Sequence, residues 1–496
     1  MSNIFYHSTR GQETNISASE AIVKGLAKDG GLYVPSSIPL IQKPLKELAE
    51  YSYQELACYV LGLFFTDFTE AEIKHCVDRA YDHKFDHVEI APIVKKGEHF
   101  YLELFHGSTI AFKDMALSIL PYLLTTAAKK IGIQNDIVIL TATSGDTGKA
   151  ALAGFADVEG TRIIVFYPKD GVSMIQERQM LTSEGKNTCV VGIDGNFDDA
   201  QNGVKAIFND KQFNEELEKI GCQLSSANSI NIGRLVPQVV YYVYTYVKMM
   251  AMGEIQEGDA LNVVVPTGNF GNILAAFYAK SMGIPLGKLI CASNDNKVLF
   301  DFFRSGTYDR QRDFILTISP SMDILISSNL ERLLYEAAEH QADKIVDLMN
   351  HLTKDGAYQI DDAMKAKMSD FIPGFASEEE TLAAINKEFR ESAYVIDPHT
   401  AVAKAAYDKY IEETKDTNRA VIVSTASPYK FTSSALKAID SKFEDVDDFI
   451  LLNELEKLSG IEIPSAVKNI DQREILHHTV CRTEEMPEIV RRWLLE

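Results

Sequence analysis

The chain has 496 residues, 46% of them hydrophobic and 24% charged, enough for about three domains of ordinary size and for a core that could bury a cofactor. A formal net charge of -22 opposes nonspecific binding to nucleic acid or to anionic membranes, so a small molecule is the expected partner and no obligate protein partner is implied. No stretch reaches the roughly 18 to 20 uninterrupted apolar residues of a membrane helix, and Met1-Ser2-Asn3-Ile4 lacks the parts of a signal peptide, so the expected location is the cytoplasm.

Six cysteines, Cys58, Cys76, Cys189, Cys222, Cys291 and Cys481, stand singly, a spacing that suits reduced core thiols and neither a zinc site nor a disulfide framework. Residues 1–92 are expected to form a mostly helical cap domain. Ser17-Ala18-Ser19-Glu20 ahead of Ala21 to Ala27 reads as a capped helix, Gly30-Gly31 ends it, and Lys46 to Phe64 carries further 3.6-residue apolar spacing. Asp82-His83 and Asp86-His87 place two histidines at i and i+4. With no third ligand nearby they read as a solvated turn, and no metal is assigned.

The next informative stretch is Glu103 to Asp114, in which Lys113 sits among Leu104, Phe105, Ile110, Phe112 and Met115. Desolvation lowers a lysine pKa, and a neutral amine can attack an aldehyde. The alternative is that Lys113 extends its charge to water past these neighbours. Beyond it, short β-branched runs alternate with helical stretches: Asp136–Ala142, Thr161–Tyr167, Thr188–Ile193, Leu261–Val265, Lys288–Ala292 and Ala420–Ser424. That alternation predicts an α/β fold with largely parallel sheets, whose ligands lie at the carboxyl ends of the strands. The acidic, helical segment around Ser377-Glu378-Glu379-Glu380 reads as an exposed insertion.

Three loops follow strands. Thr143-Ser144-Gly145-Asp146-Thr147-Gly148 lacks the glycine and the hydroxyl of a Walker A loop, but its hydroxyls and backbone N–H groups at a helix start suit a carboxylate; a plain turn would read the same. Pro266-Thr267-Gly268-Asn269-Phe270-Gly271-Asn272 suits a phosphate held by backbone donors and the helix dipole, or a tight turn that needs glycine. Ser424-Thr425-Ala426-Ser427 offers a hydroxyl to a pyridine nitrogen.

Taken in order, Phe-Lys-Asp, Ser-Gly-Asp-Thr-Gly, Gly-Asn-Phe-Gly-Asn and Ser-Thr-Ala resemble the pyridoxal-phosphate enzymes of the tryptophan-synthase-β type, fold type II. More narrowly, His106 to Asp114, Asn228-Ser229-Ile230-Asn231-Ile232-Gly233-Arg234 and the opening Tyr6 to Gly11 resemble the longer threonine synthases from end to end. The resemblance implies two parallel-sheet α/β lobes behind the helical cap: a catalytic core over 93–455, its smaller lobe at about 115–250, and a helical extension over 456–496. It implies pyridoxal phosphate attached to Lys113, with Gly268, Asn269, Phe270, Gly271 and Asn272 around its phosphate, Thr425 at its pyridine nitrogen and Asp146 near its phenolic oxygen. Ser144, Gly145 and Thr147 would hold the substrate carboxylate, and Asn228, Ser229 and Arg234 the phosphate of O-phospho-L-homoserine. The implied reaction is γ-elimination of that phosphate and addition of water at Cβ, giving L-threonine, the last step of threonine biosynthesis. Family members more often carry proline at Ser108 and histidine at Ser427, and related enzymes asparagine at Asp146, where a carboxylate would repel a phenolate unless one of them held a proton. The competing readings are a phospholyase or a hydroxy-amino-acid dehydratase of the same fold, and a catalytically silent relative that binds a metabolite.

Overall fold

A computed structural model describes residues 3–143 and 145–495. Two sheets organise it. The larger runs, in spatial order, Phe371–Phe375, Leu286–Ser293, Leu261–Pro266, Ala420–Ser424, His99–Glu103 and Ile93–Lys96, parallel throughout except for the hairpin made by its last two strands. The smaller runs Thr479–Cys481, Thr188–Ile193, Thr161–Pro168, Asp136–Ala142 and Cys222–Ser225, all parallel. The continuous apolar runs of the sequence are the central strands, and they are apolar on both sides because helices cover both faces.

The helix Ile232–Ala251 is the axis of the molecule. Asn231 caps it by accepting from the Gly233 N–H at 2.9 Å. Residues on all its faces are buried, Arg234, Gln238, Tyr241, Tyr242 and Thr245 among them, because it packs on Gly271–Ser281 on one side and on Tyr53–Phe64 of the N-terminal region on another. That N-terminal region pairs two short strands, Tyr6–Ser8 and Tyr33–Pro35, and its helices open on capping boxes at Ser17/Glu20, Ser52/Glu55 and Thr69/Glu72.

Two expectations change. The segment after Ser377 is the helix Glu378–Ser392, and it is not an exposed insertion. Its glutamates occupy the first turn, where the helix dipole favours them, while Thr381, Ala384, Ile385 and Glu388 are buried and the helix packs on Pro398–Thr414. The acidic run masked a short apolar stripe. Nor is the C-terminal segment a purely helical extension: the helix Asp448–Ser459 crosses the boundary placed at 455, and Thr479–Cys481 adds an edge strand to the smaller sheet. Three residues are too few to show alternation.

In the Asp82 to His87 turn, Asp86 meets His106 Nδ1 at 2.6 Å and Asp82 pairs with Lys84 at 2.7 Å. Among the described residues no group of three or more potential ligands could hold a metal ion, and no helix is long and apolar enough to cross a membrane.

Candidate active site

The carboxyl ends of Asp136–Ala142, Leu261–Pro266 and Ala420–Ser424 face one cleft, and the loop after His99–Glu103 delivers Lys113 into it. Asp114 shapes that loop. Its buried carboxylate accepts from the Thr109 N–H at 2.8 Å and the Thr109 hydroxyl at 2.6 Å, and Ile110 turns the chain with a left-handed φ of 52°. A β-branched residue in that region is a strained one, held here by the surrounding bonds. The Phe112 N–H donates to the Thr425 carbonyl at 2.7 Å, and Ala111 and Ala426 form an isolated bridge, so the lysine loop is stitched directly to the Ser-Thr-Ala loop.

Lys113 is 14% exposed at its side chain and donates to Ser321 Oγ at 3.3 Å, with Asp146 Oδ2 at 3.7 Å. Burial lowers its pKa; the positive charges of Lys430 and Arg234 lower it further, and Asp146 opposes them. The competition favours a neutral amine more than an exposed lysine would. Asp146 itself is met on every side: Lys430 Nζ at 3.0 Å, Gln176 Nε2 at 2.8 Å and Ser321 Oγ at 2.9 Å. Its burial would raise its pKa, but the cations Lys430 and Lys113 win and hold it well below the usual carboxylate range. The carboxylate is therefore ionised and already neutralised, which removes the repulsion expected at that position.

At the other end of the cleft, Gly268 lies where any larger residue would collide: a Cβ there would stand 2.4 Å from the Ser321 carbonyl oxygen. Phe270 takes a left-handed φ of 66° at the start of Gly271–Ser281, and its ring stacks on Phe371 at 5.6 Å. Asn269 accepts at its carbonyl from Asn329 N and Nδ2, at 3.1 and 3.0 Å. The hydroxyls of Tyr241 and Tyr242 both donate to Asn272 Oδ1, at 2.7 and 2.6 Å, which fixes the amide and leaves its buried Nδ2 without a partner among the described residues.

Arg234 is 4% exposed, so it is no surface helix residue. One nitrogen donates to the Ala227 carbonyl at 2.9 Å, its buried Nε has no partner among the described residues, and burial lowers its pKa to about 10. Two buried donors without a partner among the described residues, Asn272 Nδ2 and Arg234 Nε, with an amine of lowered pKa that feels the Arg234 charge, are what a ligand carrying phosphate oxygens and an aldehyde would satisfy. The residues fit pyridoxal phosphate together with a second phosphorylated group.

Several expected residues thus converge. Lys113 meets Asp146, Thr425 borders the lysine loop, and Asn329 Nδ2 bonds the Ser229 carbonyl at 3.3 Å and so ties Asn228-Ser229 to Asn269. The N–H groups of Gly145 and Gly148 donate to Thr143 Oγ1 at 3.0 and 2.9 Å, curling this loop at the helix start beside Thr147. Gly271 lies near the Asn329 and Gln238 amides. Asn228 is exposed, and Ser144 lies outside the described residues. Sequence reasoning missed Lys430, Ser321, His399 and Asn329. The buried His399 accepts the Ser321 N–H at Nε2, 3.2 Å, while Asp397 holds its Nδ1 at 2.8 Å. Only Lys430 carried a signal, three residues past the Ser-Thr-Ala loop.

Three family models match the chain in succession: the threonine synthase N terminus over residues 5–81, the pyridoxal-phosphate dependent enzymes over 91–359, and the threonine synthase C-terminal region over 400–479. The chain belongs to the threonine synthase family. It is 37% identical to threonine synthase of Schizosaccharomyces pombe, covering 89% of this chain and 90% of that one. It is 40% identical to human threonine synthase-like 1 over 94% of this chain, yet it spans only 64% of that protein's length. A crystal structure of pyridoxal-phosphate-bound threonine synthase from Brucella melitensis superposes with a TM-score of 0.87 at 35% identity over 100% of both chains. This family member carries its buried lysine, its glycine-rich turn and its buried arginine on three separate elements.

Proposed function

We propose that the chain is a pyridoxal-phosphate-dependent threonine synthase that converts O-phospho-L-homoserine and water to L-threonine and phosphate, in the cytoplasm. The observation that carries the reading is Arg234, a buried guanidinium with, among the described residues, an unpartnered nitrogen and no carboxylate paired with it, close enough to Lys113 to depress its pKa. A fold that places such a cation next to its reactive amine needs an anion there, and Arg234 with Asn228 and Ser229 would hold the γ-phosphate of the substrate. Bound pyridoxal phosphate supplies an electron sink for the pair released when a bond at Cα breaks.

The chain's own residues do the rest. Lys113 would hold the cofactor and could carry protons at Nζ, its pKa lowered by burial and by Lys430 and Arg234 against the opposing charge of Asp146. Ser321 Oγ lies against both Lys113 and Asp146 and can pass a proton at that atom. Gly268 to Asn272 would receive the cofactor phosphate through backbone donors and Asn272 Nδ2, and Thr425 would meet the pyridine nitrogen. Gly145 and Thr147, at a helix start, would hold the substrate carboxylate, a role to which Ser144 is also assigned. Asp146, paired with Lys430, would serve the cofactor's phenolic oxygen.

The deciding experiment is to load the protein with pyridoxal phosphate, supply O-phosphohomoserine and identify the organic product. L-Threonine with one phosphate released supports the reading; a 2-oxo acid with ammonia identifies a phospholyase. Borohydride reduction and peptide mapping should place the cofactor on Lys113, and an adduct on another lysine would overturn the site.

A further inference from the structure

Arg332 is the largest fully buried side chain of the molecule, 0% exposed, and its hydrogen-bond partners are carbonyl oxygens alone. Nε donates to the Tyr33 carbonyl at 2.9 Å, one terminal nitrogen to Asn329 Oδ1, and the other to the Ile230 carbonyl at 2.6 Å. Burying a guanidinium on neutral acceptors is a poor way to stabilise a fold. It is a good way to hold three acceptors in one plane, since the fork is rigid and cannot lose its charge.

The three acceptors come from different parts of the site. Tyr33 belongs to the N-terminal region, Ile230 lies inside Asn228–Arg234, and Asn329 also grips the Asn269 and Ser229 carbonyls. Neighbouring Glu331 points the other way, to the opening Tyr6–Gly11 stretch whose role the sequence left unassigned: the Thr9 hydroxyl donates to Oε1 at 2.6 Å, and Arg10 donates to Oε1 at 3.1 Å and Oε2 at 2.9 Å. Asn231 Nδ2 adds a further tie, to the Ile22 carbonyl at 2.9 Å. The loop that carries Asn228, Ser229 and Arg234 is thus braced against the N-terminal region, and Arg332 is the brace that reaches both.

We propose that Arg332 is a positioning residue that sets specificity for a phosphorylated substrate, fixing Asn228–Arg234 against Tyr33 so that its donors meet a phosphate dianion, with Thr9 and Arg10 anchoring the brace through Glu331. The proposal rests on the reading of that loop as the substrate-phosphate site. It gives the N-terminal region a task in recognition.

The test uses full-length, cofactor-loaded protein and the variants Arg332→Lys and Arg10→Ala. Lysine keeps the charge but not the planar fork. Three quantities are measured: cofactor absorbance, the rise in melting temperature produced by inorganic phosphate, and kcat/KM on O-phosphohomoserine and on L-serine. Arg332→Lys should keep the cofactor, lose more than half of the phosphate-induced shift, and lose at least about tenfold in kcat/KM on the phosphorylated substrate, mostly through KM, with less than about a threefold loss on serine. Arg10→Ala, on the half-exposed side of the brace, should show the same pattern more weakly, and it keeps the question open to test if Arg332→Lys fails to fold. Equal losses on both substrates, or an undiminished phosphate shift in both variants, would overturn the positioning role. Wild-type protein that shows no phosphate shift and no turnover of O-phosphohomoserine would overturn the reading of the loop itself.

Discussion

A buried lysine and a buried aspartate 3.7 Å apart form an ion pair, and here Lys430 shares the carboxylate at the shorter distance of 3.0 Å. Its side chain is fully buried, it lies 3.0 Å from Asp146 and it also donates to the Thr109 carbonyl at 3.1 Å, so it takes up the carboxylate and leaves Lys113 the weaker claim. Lys430→Met should therefore lower stability by about 3 kcal/mol, the usual cost of stranding one member of a buried pair. The double variant with Asp146→Asn should cost less than the sum, and urea unfolding of the four proteins measures the difference. Arg234→Ala should keep the bound cofactor and its visible spectrum but lose about a hundredfold or more in kcat/KM on O-phosphohomoserine, and far less on serine. Comparable losses on both substrates would show that Arg234 supports the fold. Lys113 and Arg234 were legible in the sequence because each sits in a local pattern with a chemical purpose. Ser321 was not, since it meets Lys113 across 208 positions, and the place of Lys430 close behind the Ser-Thr-Ala loop did not reveal that it meets Thr109 across 321.

Between elements, the joint at His106 deserves a pH experiment. Its ring lies 2.6 Å from Asp86 in the N-terminal region and 2.9 Å from Glu103 at the end of a sheet strand, and the Asp86 N–H donates to the His106 carbonyl at 2.9 Å, just ahead of the lysine loop. Desolvation would lower its pKa, but the hydrogen bonds to the two carboxylates outweigh it and raise the value from 6.5 to about 9. A raised folded-state pKa stabilises fully below the unfolded value and stops doing so as pH climbs through the folded one, so this joint should weaken between about pH 6.5 and 9. Denaturant midpoints across that window should fall more steeply for the wild type than for His106→Gln; parallel profiles would remove His106 from the account. The six central strands were legible almost to the residue, since runs buried on both faces must be continuously apolar, whereas Ile93–Lys96, His99–Glu103, Cys222–Ser225, Phe371–Phe375 and Thr479–Cys481 went unread. The helix Glu378–Ser392 was misread for the opposite reason, because its charges crowd the first turn and its buried stripe is only four residues.

Across the whole molecule, the two sheets are assembled in very different orders. The smaller sheet draws four of its five strands from residues 136–225, and only its edge strand Thr479–Cys481 comes late. Removing residues after 476 should strip that edge and its helix yet leave the cleft, so the shortened protein should still take up pyridoxal phosphate, with a lower melting temperature. Removing everything after 419 should abolish soluble protein, since it deletes the strand between Leu261–Pro266 and His99–Glu103. Expression of both truncations, with absorbance and thermal unfolding of whatever is soluble, checks the pair of outcomes.

That central position of Ala420–Ser424 also fixes a timetable. On the ribosome the hairpin of residues 93–103 emerges first, but its parallel neighbour is made more than 300 residues later, after four of the smaller sheet's five strands have been synthesised. At roughly 5 to 20 residues per second, the nascent chain holds an open strand edge for tens of seconds, and the lysine loop has no Thr425 carbonyl to close on until then. Cofactor capture accordingly waits until residue 425 has been made, and the long interval before it is when the chain most needs protection from its neighbours.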